Sequence, residues 1–157
     1  MPKTPLKPSP IQLLSQDFDE INVQSQHDSE GGSNTLEVSP TLIPVKEHPD
    51  TWLLMLSVEI GSEPDSKKPP YLASVRASGY YRVEKSYQGD PQRLVRITGA
   101  SMLYGAVREM LCSITSRCDN GMLTLPSISF FEEAPKTKTA KKAAKKTAKK
   151  TSSKKAR

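Results

Sequence analysis

The sequence predicts an α+β domain in which a four-stranded antiparallel sheet is packed by one long helix. Residues 51–61 alternate without a break, with Trp52, Leu54, Leu56, Val58 and Ile60 on one parity. That two-residue period marks a strand with one buried face. Residues 71–83 repeat it through Tyr71, Ala73, Val75, Ala77, Gly79, Tyr81 and Val83. Further on, Leu103, Val107, Met110, Leu111 and Ile114 fall at the spacing that lines one face of a 3.6-residue helix. Strands first and a helix afterwards argue a sheet with the helix laid against it.

Residues 1–10 are proline-rich and read as a disordered leader. Residues 11–26 form the first strand, where a bulge near Asp19 would bring Phe18, Ile21 and Val23 to one face. Residues 27–34, with Gly31-Gly32 among polar neighbours, read as a mobile loop. The second strand, residues 36–45, carries Pro40 and Pro44, which suit an edge or an irregular crossover. In the third strand Leu53 and Met55 stand on the parity opposite the buried one, so that face is not wholly polar. Residues 62–70 make a hairpin loop, and residues 86–92 a turn leading to the helix. The helix is expected over residues 100–118, about 28 Å long at about 1.5 Å per residue. Thr98 or Ser101 is its expected cap, and Asp119-Asn120-Gly121 its stop. Small residues Gly99, Ala100, Ser101, Gly105 and Ala106 would admit a close neighbour. The apolar stripe packs either on the chain's own sheet alone or also against a partner. A return segment follows with Leu123, Leu125, Ile128 and Phe130, where Pro126 bars a regular central strand.

The 157 residues carry a formal net charge of +6, which conceals a division. Residues 136–157 hold eleven Lys or Arg and no acid, leaving twelve basic against seventeen acidic residues elsewhere, a net of −5. The protein is thus an acidic domain, residues 11–131, followed by a disordered lysine-rich tail, residues 132–157. Cys112 and Cys118 point to different sides of one helix and do not suit a disulfide, so a reduced, cytoplasmic protein is expected. No signal peptide or run long enough to span a bilayer occurs, and no membrane insertion is expected. His27 and His48 lie near no cysteine at metal-ligand spacing, and no phosphate loop, nucleophile elbow or zinc-protease motif occurs. Neither an enzyme nor a metal or other cofactor is expected.

The block from Arg96 to Phe130, RITGASMLYGAVREMLCSITSRCDNGMLTLPSISF, resembles the C-terminal part of the SecB family of export chaperones. The long helix of that family carries an Arg-Glu pair, matched by Arg108-Glu109, and Ser116-Arg117 lies near its end. Its next segment reads Leu-x-Leu-Pro-x-[Val/Ile]-x-Phe, matched by Leu123 through Phe130. With the upstream strands, the resemblance extends over residues 10–131. It implies an ATP-independent holdase that keeps unfolded client polypeptides in long apolar grooves, in protein export or in protection of an antitoxin. Candidate client-binding residues are Phe18, Leu36, Val38, Leu42, Met55, Phe130 and Phe131. It further implies a homotetramer built as a dimer of dimers with the helices at the contact, for which Ala100, Leu103, Tyr104, Val107, Leu111 and Ile114 are candidates. The family's acidic sheet surface, which docks the translocase motor SecA, is only partly present. Glu20 matches, but Gln24 and Ser74 stand where acids are expected. The family's second, C-terminal helix is also missing from the pattern, since Phe130-Phe131-Glu132-Glu133 runs into Pro135 and the lysines.

From Ala140 the tail repeats in fours, AKKA, AKKT, AKKT, like the Lys/Ala-rich tails of linker-histone-like proteins. Lys141, Lys142, Lys145, Lys146, Lys149 and Lys150 are its candidate polyanion-binding residues, for nucleic acid or the ribosome. The tail is either such a tether or a solubilising extension. Two functions stay open on these residues: a SecB-like holdase, and a nucleic-acid-associated protein whose folded domain oligomerises basic tails.

Overall fold

The computed structural model describes residues 7–131. Four strands come first: β1 (Ile11–Ser25), β2 (Asn34–Pro44), β3 (Thr51–Ser62) and β4 (Tyr71–Val83). A helical run follows, made of α1 (Pro91–Leu94), a π-helical turn (Val95–Gly99) and α2 (Ala100–Thr115). All strand pairs are antiparallel, in the order β1-β4-β3-β2. Hairpins join β2, β3 and β4, while β1 lies beside β4, which makes a Greek key. Residues 1–6 of the expected leader and the whole tail, residues 132–157, lie outside the described residues. At the described end of the leader, the Pro10 carbonyl already accepts from the Glu84 N–H at 2.9 Å.

The two alternating strands are central, and their apolar parities form the core. Leu54, Val58, Val75 and Tyr81 are fully buried, against Val95, Ala100, Leu103, Val107 and Leu111 from the helical run. Burial of each large side chain contributes about 1.5 to 3 kcal/mol. With both its prolines, β2 is an edge, as expected. Asp19 is the expected bulge: the register shifts between Phe18 and Glu20, leaving Phe18 opposite Ala77, Ile21 opposite Val75 and Val23 opposite Ala73. A second shift, between Leu13 and Ser15, was not foreseen.

The connection from β1 to β2 is not a free loop. It runs against the β3–β4 loop, with the Gln26 N–H donating to the Pro70 carbonyl at 2.9 Å and the Glu30 N–H to that of Lys68 at 3.0 Å. Gly32 is required here, because a Cβ at this position would stand 1.7 Å from the Lys67 carbonyl oxygen. The Asn120 side chain, at the helix exit, donates to the Gln26 and Pro70 carbonyls and ties both loops to the helical layer.

The helical run corrects the expected bounds at both ends. It begins at Pro91, inside the expected turn, and Asp90 caps it in place of Thr98 or Ser101. The Asp90 carboxylate accepts from the Gln92 and Arg93 amides at 2.9 and 3.3 Å, and Pro91 loses no needed donor at the first helical position. Gly99 stays within the run, where its surroundings leave little room for a Cβ: Val95, Leu54 and Tyr81 would be 3.3–3.4 Å away. The helix stops at Thr115 rather than Cys118, and Gly121 takes the left-handed backbone, φ 77°, after its turns.

Candidate functional site

Because α2 lies over the central strands, it divides the helix-side surface into two flanks. On one, the return segment lies along the helix, held by a row of polar groups at Tyr104, Arg108, Cys112 and Thr115. The Tyr104 hydroxyl donates to the Pro126 carbonyl at 2.8 Å, and Arg108 Nε to that of Leu125 at 3.1 Å. The Cys112 thiol donates to the Leu123 carbonyl at 3.3 Å, while Thr115 Oγ1 accepts from the Leu123 N–H at 2.8 Å. This spacing of donors along one helix row was legible in the sequence, and only the apolar stripe was read. Leu125 becomes part of the core, and Phe130 meets Tyr104 edge-on with centroids 6.0 Å apart.

The other flank is open. Between β1 and α2 runs a groove of about 290 Å³ lined by Gln16, Phe18, Ala106, Glu109, Met110 and Ser113. Leu13 and Ile21 share the helix-side parity of β1, opposite Tyr81 and Val75, yet remain 37% and 42% exposed. β1 is also the sheet edge without proline, so its outer backbone groups are open to an added strand. Met102, 42% exposed, and Gly105 lie on the solvent side of α2. The exposure of Leu13 was not legible in the sequence, because it depends on the second shift of β1, between Leu13 and Ser15, which parity alone does not fix.

The seven candidate client residues do not form one surface. Phe18 lines the open groove. Leu36, Val38 and Leu42 pair with Ile60, Val58 and Leu54, and are half-buried against the core along β2. Met55 faces the opposite side of the sheet, 39% exposed. Phe130 packs on the core, and Phe131, 67% exposed, lies by Tyr87, Leu94 and Thr98 near the start of the helical run. Of the residues expected at an oligomer contact, Ala100, Leu103, Tyr104, Val107 and Leu111 are buried in this chain's own core and Ile114 is half-buried. Their apolar surface is taken up within this chain, by the sheet and, for Tyr104, by the return segment as well. Tail residues Lys141, Lys142, Lys145, Lys146, Lys149 and Lys150 lie outside the described residues.

The far side of the sheet is mixed. Leu53, Met55 and Tyr80 form an apolar floor towards one end, and Arg76 Nε donates to Glu20 at 2.8 Å in the middle. Glu20, the one matched acid of the SecA-docking pattern, is thus already engaged by a cation, and this ion pair holds the Arg76 guanidinium pKa above its usual range. Among the described residues no group of three or more His, Cys, Asp or Glu could hold a metal ion.

No family model and no curated protein matches the sequence. Among solved structures, the Mycobacterium tuberculosis SecB-like chaperone Rv1957, in complex with a ChAD peptide from the Rv1956 HigA1 antitoxin, superposes with a TM-score of 0.60. The match covers 76% of this chain and 91% of that one, at 15% identity. The fold is SecB-like. A Streptococcus agalactiae protein of unknown function also matches, with a TM-score of 0.46 and 15% identity, over 74% of this chain and 97% of that one. The long helix and the return segment are the parts expected from residues 96–130, and the four strands those expected from residues 11–83.

Proposed function

We propose that this protein is an ATP-independent holdase of the cytoplasm that binds non-native polypeptide in the groove between β1 and α2. The observation that carries this reading is the row of exposed apolar side chains on a SecB-like fold: Leu13 and Ile21, with Phe18 and Met110 at the groove, beside an unpaired strand edge. An unfolded chain offers apolar side chains and free backbone groups together, and such an edge accepts both. The antitoxin peptide bound by Rv1957 makes an antitoxin one class of client to test. Docking to SecA is the weaker branch, because Glu20 is engaged by Arg76 and its acidic companions are replaced by Gln24 and Ser74. Self-association as a dimer of dimers would use the solvent side of α2, where Met102 flanks Gly105.

The test is suppression of aggregation of a slow-refolding client at near-stoichiometric ratio. The full chain and a chain ending at Phe131 are both expected to suppress it, and Phe18→Asp with Met110→Glu to abolish suppression while the circular dichroism spectrum is kept. A folded double variant that suppresses as well as the wild type would remove the groove from the reading.

A second reading rests on the eleven cations of residues 136–157. If five lysines engaged phosphates of a nucleic acid, affinity would fall about 500-fold between about 50 and 200 mM salt. On this reading the chain ending at Phe131 loses every activity.

A further inference from the structure

The sheet face turned away from the helices carries a depression of about 590 Å³ that the groove reading does not use. Its floor is Leu53, Met55 and Tyr80, with Met55 and Tyr80 39% and 40% exposed. Asp17 and Asp19, on the β1 side, line it. Arg76 lines it too, but is salt-bridged to Glu20 rather than to either aspartate, although Asp19 and Glu59 also act on its charge, so two lining carboxylates face one cation already engaged. The ion pair of Lys68 with Asp28 lies away from the depression, in the crossing loops. Further along the same face Glu37 stands directly across from Glu59, a like-charged cross-strand pair that costs stability when nothing neutralises it. An apolar floor with an acidic rim fits a cationic segment with long aliphatic stems better than an apolar peptide. Lys stems cover apolar surface while their ammonium groups reach carboxylates, and the face of a tyrosine ring attracts a cation as well.

This chain supplies such a segment. The described residues end at Phe131, which lies by Tyr87 and Asp90, just past the end of β4 at Val83. Tyr80 is three residues before that end, so the exit lies nearest the side of the depression at Leu53 and Tyr80, while Asp17 and Asp19 stand nearer the middle of β4, by Ser78 and Ala77. Four residues lie between Phe131 and Lys136, so the five steps span about 17 Å when extended. That is enough to pass a sheet edge when packed layers are spaced by about 10 Å. We propose that residues 136–150 dock in cis on this outer face, with lysine stems over Leu53, Met55 and Tyr80 and ammonium groups on Asp17 and Asp19. The tail then neutralises the acidic domain, and a polyanion that takes the tail uncovers the face.

Zero-length carbodiimide coupling of carboxylates to lysines tests this on the full chain, with nitrogen-15-labelled and unlabelled chains mixed before coupling at low salt. Mass spectrometry is expected to find tail lysines joined chiefly to Asp17 and Asp19, within chains of one isotope, with yields falling several-fold at high salt. Asp17→Asn with Asp19→Asn should remove these links and leave the Lys68–Asp28 link intact, which reports that the variant is folded. Tail links no more frequent at Asp17 and Asp19 than at Glu47 and Asp65 would overturn the proposal. Links joining the two isotopes would overturn docking in cis and place the tail on a second copy.

Discussion

Tyr81 stands in the middle of the core, fully buried, with its hydroxyl donating to the Gly99 carbonyl at 3.0 Å. Burial pushes its pKa from 10.0 up to about 12, because the phenolate has no water there. The folded state therefore binds this proton more tightly than the unfolded chain, and the stability it contributes is complete below pH 10 and lost as pH rises towards 12. Absorbance titration of tyrosinate should show Tyr81 ionising only with alkaline unfolding. Tyr81→Phe should lower stability by about 1 kcal/mol at neutral pH and remove that part of the alkaline loss. At Gly32 the constraint is steric, since the Lys67 carbonyl occupies the place of a Cβ. Gly32→Ala forces two crossing loops apart, and its urea midpoint should report a loss of about 1 to 3 kcal/mol. Tyr81 was legible from its parity in β4. The demand on Gly32 was not, because Lys67 is distant in sequence and only the Greek key brings it near.

At the level of elements, the strands were read closely and the helix less so. β3 and β4 are central, so one face is buried along their whole length and the alternation is unbroken. The helix start was misplaced because the apolar stripe begins late, while the start signal is the Asp90-Pro91 pair, which also suits a turn. Met110 was counted in the buried stripe and lines a groove instead, since α2 rests on the sheet by the narrower set Ala100, Leu103, Tyr104, Val107 and Leu111. The return segment depends on the helix row that holds its carbonyls. Arg108→Ala removes the donor to the Leu125 carbonyl, and amide exchange in residues 121–131 should rise several-fold while β3 and β4 keep their protection. Equal loss of protection in the sheet would show that the segment is part of the global folding unit.

For the molecule as a whole, the question is which surfaces remain once the core is complete. The core uses the helix residues first assigned to a partner, which leaves the solvent side of α2 uncovered, where Gly105 has no atom within 4 Å of its Cβ position. A side chain started at Gly105 therefore meets open space at its Cβ, and Gly105→Leu tests the stripe. If copies pair along this stripe, the variant should show a lower mass by light scattering with an unchanged melting temperature. An unchanged mass would leave the stripe free of partners. The charge division works at the same scale, with a domain of net −5 joined to eleven cations, and both the polyanion reading and docking of the tail respond to salt.

The strand set, the long helix, the return segment and the charged tail were legible in the residues, because each is written in a local period or composition that a few neighbours carry. Tertiary structure alone decided which apolar residues are left outside. Leu13, Ile21 and Met110 have the same chemistry as the core residues beside them, but the bulges at Leu14 and Asp19 and the line along which α2 meets the sheet leave them uncovered. Burial is a property of the assembled layers, and neither the register of an edge strand nor the position of a helix on a sheet is fixed by any one segment.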